Sequence, residues 1–201
     1  GRPFSVNETI NIRQKQSIAR EAVGLCEDGD AIIINGGTTT FQMVHFLTNR
    51  RLQVFTNSFP IAEHLLKNSK NTVMLSGGVI YREQNIILSP FENDVTRNFY
   101  AQRMFMGAQG LGPLGLMEAD PLLIQAEQKL IDQADDLVVL ASAVTGATID
   151  LKDGVDTLEL ANAGGTLTVL NVETIVGDSG NEVITLGNVA SGLTIDLALT
   201  C

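Results

Sequence analysis

The chain has 201 residues, 44% of them hydrophobic, enough to bury a real core in one large domain or two small ones. Its formal net charge is −10 and its thirteen Lys and Arg are scattered, so nucleic-acid phosphates are repelled and DNA binding by this stretch is excluded. The two cysteines (Cys26, Cys201) and two histidines (His45, His64) form no zinc spacing and no disulfide framework, and no apolar run reaches the roughly 20 residues of a membrane span. No metal and no cofactor is expected.

The opening Gly1-Arg2-Pro3-Phe4 is no signal peptide, because no apolar segment follows the arginine. The expectation is a cytoplasmic protein, and the absence of an initiating Met implies that an upstream part was removed. Ile18, Ala22, Val23 and Cys26 recur at three- and four-residue steps, which predicts an amphipathic helix stopped by Gly29. Ala31 to Ile34 is a short apolar run, the pattern of a strand buried on both faces. Val44 and Leu47 predict a second helix, Leu52 to Phe55 a second strand, and Pro60 opens a helix that carries Ile61, Leu65 and Leu66. Thr72 to Leu75 reads as a third strand ended by Gly77-Gly78. Ile86 to Leu88 and Met104 to Met106 are further strand candidates, with a helix predicted near Phe91 to Tyr100. Pro121 starts a helix through Ala134, and Leu137 to Leu140 is the last apolar strand. Strands alternating with helices predict an α/β domain over residues 1–141, a Rossmann-like parallel sheet flanked by helices.

The pattern changes near Ala141. After Lys152 there is no Lys or Arg, and Thr, Val, Leu, Gly, Asn and Asp dominate. Period-two segments such as Thr157 to Leu160, Thr166 to Val169 and Val183 to Leu186 are separated by turn residues, so residues 142–201 read as a β-rich segment. Thr145 to Leu151 echoes Ser191 to Leu197, and such self-similarity points to a solenoid-like stack; a small β-meander fits the same residues.

Gly36-Gly37-Thr38-Thr39-Thr40 lies between a buried strand and a helical segment, where an open parallel sheet presents ligand sites. Glycines allow close backbone approach, N–H groups at a helix start favour an anion, and threonine hydroxyls add uncharged donors, a combination that suits phosphate. A turn with a Thr N-cap needs the same residues and no ligand. The loop matches neither the dinucleotide fingerprint nor the Walker lysine loop. Thr56-Asn57-Ser58, Ser76-Gly77-Gly78 and Gly107-Ala108-Gln109-Gly110 also follow apolar strands, so these loops would rim one crevice. The expected ligand-binding set is Gly36, Gly37, Thr38, Thr39, Thr40, Asn57, Gly77, Gly78, Gly107 and Lys129, the last a cation on the helix after the final loop. No catalytic residue is assigned. His45 and His64 read as packing or surface residues, and Glu118, Asp120 and Glu127 as acids that favour a helix start.

In family order, Lys15 to Ala19, Asp28-Gly29-Asp30 with Ile32 to Thr40, Thr56-Asn57-Ser58, Gly77-Gly78, Gly107 to Gly110 and Ala126-Glu127-Gln128-Lys129 resemble the effector-binding domain of the DeoR family of bacterial transcriptional repressors. The resemblance covers roughly residues 4–140; Ser89-Pro90 and residues 126–129 look most like the repressors of L-ascorbate utilisation. It implies a ribose-5-phosphate-isomerase-like fold that senses a phosphorylated sugar or sugar derivative, in a homo-oligomer, coupled to a winged helix that this chain lacks. Alternatives are a sugar-phosphate isomerase-like enzyme and a structural or adhesive calcium-binding β-repeat protein. After Leu140 the family continues with an Asp and a Ser-Lys-Phe-like stretch, where this chain has Ala141-Ser142-Ala143-Val144, which implies a truncated effector domain. Beyond it, Gly177 to Ile184 resembles one copy of a nine-residue β-roll repeat, as a chimera would contain.

Overall fold

The computed structural model describes residues 3–89, 95–108, 110–112, 115–117, 120–142, 147–150, 156–161, 165–177, 182–186 and 193–197. A one-turn helix α1 (Phe4–Asn7) precedes α2 (Ile12–Gly24), whose face of Ile18, Ala19, Ala22 and Val23 is buried as its spacing predicts. Then follow β1 (Ala31–Ile34), a short α3 (Thr38–Phe41) and β2 (Gln53–Thr56). Helix α4 (Phe59–Asn68) starts where Ser58 Oγ accepts from the Ile61 N–H and Pro60 occupies the first turn. Strand β3 (Thr72–Leu75) leads into a hairpin of β4 (Val79–Tyr81) and β5 (Ile86–Leu88). Strand β6 (Ala101–Gly107) and the small antiparallel pair β7 (Gly110–Gly112) and β8 (Gly115–Met117) come next. Asp120 caps α5 (Pro121–Ile131) by accepting from the Leu122 N–H at 2.9 Å, and β9 (Ala134–Ser142) follows.

Every described regular element after β9 is a strand: β10 (Ala147–Asp150), β11 (Thr157–Ala161), β12 (Gly165–Leu170), β13 (Thr174–Gly177), β14 (Glu182–Leu186) and β15 (Thr194–Leu197). These strands alternate between two parallel sheets. β10, β12 and β14 form a three-stranded sheet, while β11, β13 and β15 continue the main one. The main sheet therefore has eight parallel strands in the order β15-β13-β11-β9-β6-β1-β2-β3.

Its two faces are both apolar, as burial on both sides requires. Ile32, Ile34, Val54, Phe105, Val138 and Leu140 pack with α2 and α4 on one side. Ile33, Met104, Met106, Leu137, Val139 and Leu158 pack on the other with Leu130 of α5 and Val169 of β12. Helices thus cover one face, and α5 with the small sheet covers the other.

Several expectations change at this point. Ile86 to Leu88 is a strand, but it forms a hairpin with β4, with an isolated bridge from Ile86 to Ser58, and lies outside the main sheet. Of the helix expected near Phe91 to Tyr100, the described part holds a 3-10 turn at Val95–Asn98; residues 90–94 lie outside the described ones, Pro90 of the Ser89-Pro90 match among them. The segment around Val44 is a 3-10 turn at Gln42–His45, because α3 has already spent the preceding residues. Helix α5 ends at Ile131, since Ala134 is taken by β9 pairing with Ala101. The sheet does not stop near residue 141, for β11 pairs with β9 through Ser142. The echoed segments fall in different sheets, Thr148 in β10 and Thr194 in β15, whereas paired tail strands lie seventeen (Thr157, Thr174) or twenty (Thr174, Thr194) residues apart. Residues 178–181 of the nine-residue match lie outside the described ones.

One buried acid marks the junction of the two parts. Asp156, just before β11, is 4% exposed, and its Oδ2 has no hydrogen-bond partner. Its N–H donates to Glu173 Oε2 at 2.8 Å, and its carbonyl accepts from the Glu173 and Thr174 N–H groups. Burial, then the neighbouring Glu173 carboxylate, raises its pKa from an ordinary 3.8 to about 6, against the pull of a Leu137 backbone bond. The folded chain thus prefers the protonated acid. Its contribution to stability is complete below pH 3.8 and is lost as pH rises through about 6. Thermal unfolding of Asp156→Asn should show a higher Tm than the parent at pH 7.5 and a flatter pH dependence between pH 4 and 7. Parallel curves for the two proteins would contradict this.

Candidate functional site

All main-sheet strands are parallel, so their carboxyl ends share one edge. Strand β1 is followed in the chain by its neighbour β2 and then β3. Its other neighbour, β6, is reached only after the hairpin. The winding therefore reverses between β1 and β6, where an open α/β sheet presents its ligand crevice.

The loop after β1 enters this crevice. Asn35, 1% exposed, ties it to β6 through its N–H on the Phe105 carbonyl at 2.9 Å. Asn57, from the end of β2, donates through Nδ2 to Asn35 Oδ1 and accepts the Gly36 N–H on Oδ1, both at 2.8 Å. Asn35 Nδ2 in turn donates to Glu127 Oε1 of α5 at 3.0 Å. Thr56 Oγ1 donates to the Ile34 carbonyl at 2.6 Å. A buried amide network thus ties β1, β2 and α5 together under the loop.

The five loop residues have different tasks. Gly36 lies under the hairpin: a Cβ there would come 2.6 Å from Ile86 Cγ1 and 3.3 Å from Ser58 Cβ. Gly37 is extended (φ 179°), and its absent Cβ would meet Thr40 Oγ1 at 3.2 Å. Thr40 spends its hydroxyl on the Asn35 and Gly37 carbonyls, at 2.7 and 3.1 Å. Thr38 accepts from Lys15 Nζ at 2.9 Å, and the same ammonium donates to the Asn7 carbonyl at 2.6 Å. Desolvation lowers the Lys15 pKa, with Glu8 opposing. Half-buried Thr39 sits beside Gly107, whose absent Cβ would come 3.9 Å from Thr39 Cβ. Thr39 and Gly107 thus meet across the β1/β6 reversal.

The remaining expected residues are distributed around this point. Asn57 and Lys129 line a cavity of about 760 Å³ between the β4–β5 hairpin, the turn at Val95–Asn98 and α5. The Gly-Thr loop, Gly77, Gly78 and Gly107 are not among the residues lining it. Gly78 has φ +151°, and a Cβ would lie 2.2 Å from the Leu88 carbonyl oxygen, so it serves the hairpin's close approach. Gly77 is exposed with nothing near its Cβ position. Hence the loops share the sheet edge, and the cavity lies beside the hairpin, apart from the Gly-Thr loop.

Sequence reasoning did not single out Lys15 and Asn35 beside the loop or Ser76, Arg82 and Arg97 around the cavity, and it read Glu127 as a helix-start acid. Lys15 precedes the loop by a whole helix, and Asn35 meets Glu127 across 92 positions, so no local pattern signals either. Ser76, in a turn already picked out after β3, was the legible one. His45 and His64 form an edge-to-face pair at 5.1 Å with Phe41 nearby, as packing residues do. Among the described residues, no group of His, Cys, Asp and Glu is placed to hold a metal, and no helix is long and apolar enough to cross a membrane. Glu118 and Gln109 lie outside the described residues.

Residues 10–144 match the DeoR C terminal sensor domain family. Similar curated proteins include the HTH-type transcriptional regulator UlaR of Shigella dysenteriae serotype 1 (strain Sd197) and of Escherichia coli (strain K12 / DH10B). Each is 32% identical over 142 residues, 70% of this chain and 56% of the relative. The chain therefore spans about half the length of these relatives. Similar solved structures include ribose 5-phosphate isomerase A of Methanocaldococcus jannaschii, with TM-score 0.47 and 18% identity over 66% of this chain and 52% of that one. The enzyme of Neisseria gonorrhoeae gives 0.44 and 15% over 69% and 53%.

The amide network has a direct test. Asn57→Ala leaves the Gly36 N–H and Asn35 Oδ1 without these partners, which should cost about 1–3 kcal/mol per stranded group. Urea unfolding measures it, and a variant as stable as the parent would show that water replaces the side chain at no cost.

Proposed function

The chain belongs to the DeoR family, as its C-terminal sensor domain, and on that premise we propose that it is the effector-sensing part of a bacterial repressor of sugar or ascorbate catabolism. It binds a phosphorylated sugar-like metabolite in the cytoplasm, turns nothing over, and leaves operator DNA to another part of the protein. It works as a homo-oligomer.

The observation that carries the ligand class is the coincidence of four features at the β1/β6 reversal. The Gly36-Gly37 backbone, the Thr39 hydroxyl, the small residue Gly107 and the Lys15 ammonium on Thr38 meet there. Glycines keep the approach open, the hydroxyl donates, and the half-buried cation supplies charge in a chain that is otherwise strongly acidic. Phosphate is the small anion with enough acceptor oxygens to use them together. The sugar then extends from the loop along the carboxyl edge toward Asn57, Gly77, Gly78 and Lys129.

Calorimetric titration of sugar phosphates, L-ascorbate 6-phosphate among them, tests this reading. Gly37→Val narrows the approach, and Thr39→Val removes the hydroxyl at similar volume. Losing one hydrogen bond to a charged group weakens binding by roughly 1.5–3 kcal/mol, about ten- to a hundredfold. Equal binding by parent and variants would make the loop a mere turn, and a parent that binds no sugar phosphate would overturn the proposal.

A further inference from the structure

The cavity beside the hairpin has a charge pattern that the phosphate loop does not account for. Three cations border it, Arg82 from the hairpin, Arg97 from the 3-10 turn and Lys129 from α5. No carboxylate is among the described residues that line it. In a chain with 23 acids and 13 bases, three cations and no carboxylate among the described residues of one cavity are a departure from the general composition.

A second observation points the same way. Ser76 borders the cavity at 8% exposure, and its buried Oγ has no hydrogen-bond partner. Its N–H is already held by the Thr56 carbonyl at 3.1 Å, so the backbone fixes the residue while the hydroxyl stays unused. A buried hydroxyl without a partner is costly, and a bound acceptor removes the cost. Asn57 separates the two places: its amide holds Gly36 on the loop side, and the residue lines the cavity on the other.

We propose that this cavity is a second anion subsite, formed by Arg82, Arg97, Lys129 and Ser76, and that the effector carries two separated anionic groups. One is the phosphate at the Gly-Thr loop, so the inference rests on the proposed function. The other is a carboxylate or a second phosphate. Either class presents oxygens to guanidinium forks, which bind both.

The test compares ligands with and without a second anionic group, titrated by calorimetry at constant ionic strength: the open-chain sorbitol 6-phosphate against 6-phosphogluconate, and fructose 6-phosphate against fructose 1,6-bisphosphate. The doubly anionic member of at least one pair should bind about ten- to a hundredfold more tightly, and the pair that shows it identifies carboxylate or phosphate. Arg82→Ala and Arg82→Ala/Arg97→Ala should erase this preference while the singly phosphorylated sugars keep their affinity; Arg97→Lys should keep part of it. Equal affinity within both pairs would overturn the second subsite and leave the phosphate loop standing. Loss of the singly phosphorylated sugars in the arginine variants would place the phosphate itself in the cavity and overturn the two-site assignment. Failure of every phosphate to bind the parent would overturn the proposed function and this inference with it.

Discussion

The loop after β1 is held by a side-chain amide acting as a surrogate backbone. At the carboxyl end of a parallel strand the ladder stops, and its last peptide groups need new partners. Asn57 supplies them by bonding to the Gly36 N–H and to the Asn35 side chain, and Asn35 passes the connection to Glu127 on α5. Asn35 and Asn57 are at most 3% exposed, so the bonds are not exchanged for water, and the crevice rim is set before any ligand arrives. A site built this way loses little conformational entropy on binding.

The same economy explains where the sheet goes after β9. A strand of nine residues with Val138 and Leu140 on one face and Leu137 and Val139 on the other offers an open parallel ladder with two apolar faces. β11 accepts it in register, Thr157 opposite Val138, and Leu158 adds to the core. The small sheet then covers the face near α5 with Val169, so the tail strands extend the main sheet and cover part of its core. The burial of Asp156 next to Glu173 is a cost of this join, since the two acids are brought together where the tail meets the main sheet.

Much of this was legible because two-sided burial writes itself into short apolar runs. Ile32 to Ile34 and Leu137 to Leu140 announced strands, Pro60 and Pro121 announced helix starts, and the ordered loops pointed to one edge of a parallel sheet. Of the hairpin only β5 was legible, as the apolar run Ile86 to Leu88; β4 and the pairing were not, since a three-residue strand carries little period and Gly78 takes its role from contact with Leu88, ten positions on. The candidate site divided accordingly. The glycines and threonines proposed for it stand together in the chain and can be singled out there, whereas Lys15, Arg82 and Arg97 arrive from separate elements through tertiary packing alone. In the tail the period-two pattern predicted strands, but the choice of sheet for each one depends on partners seventeen or twenty residues away.

Whether the β1/β6 reversal is where the phosphate sits is best settled by backbone amide chemical shifts during titration with a sugar phosphate. The account requires saturable shifts that are largest at Gly36, Gly37, Thr38, Thr39 and Gly107. Saturable binding that leaves those five amides unmoved would contradict it.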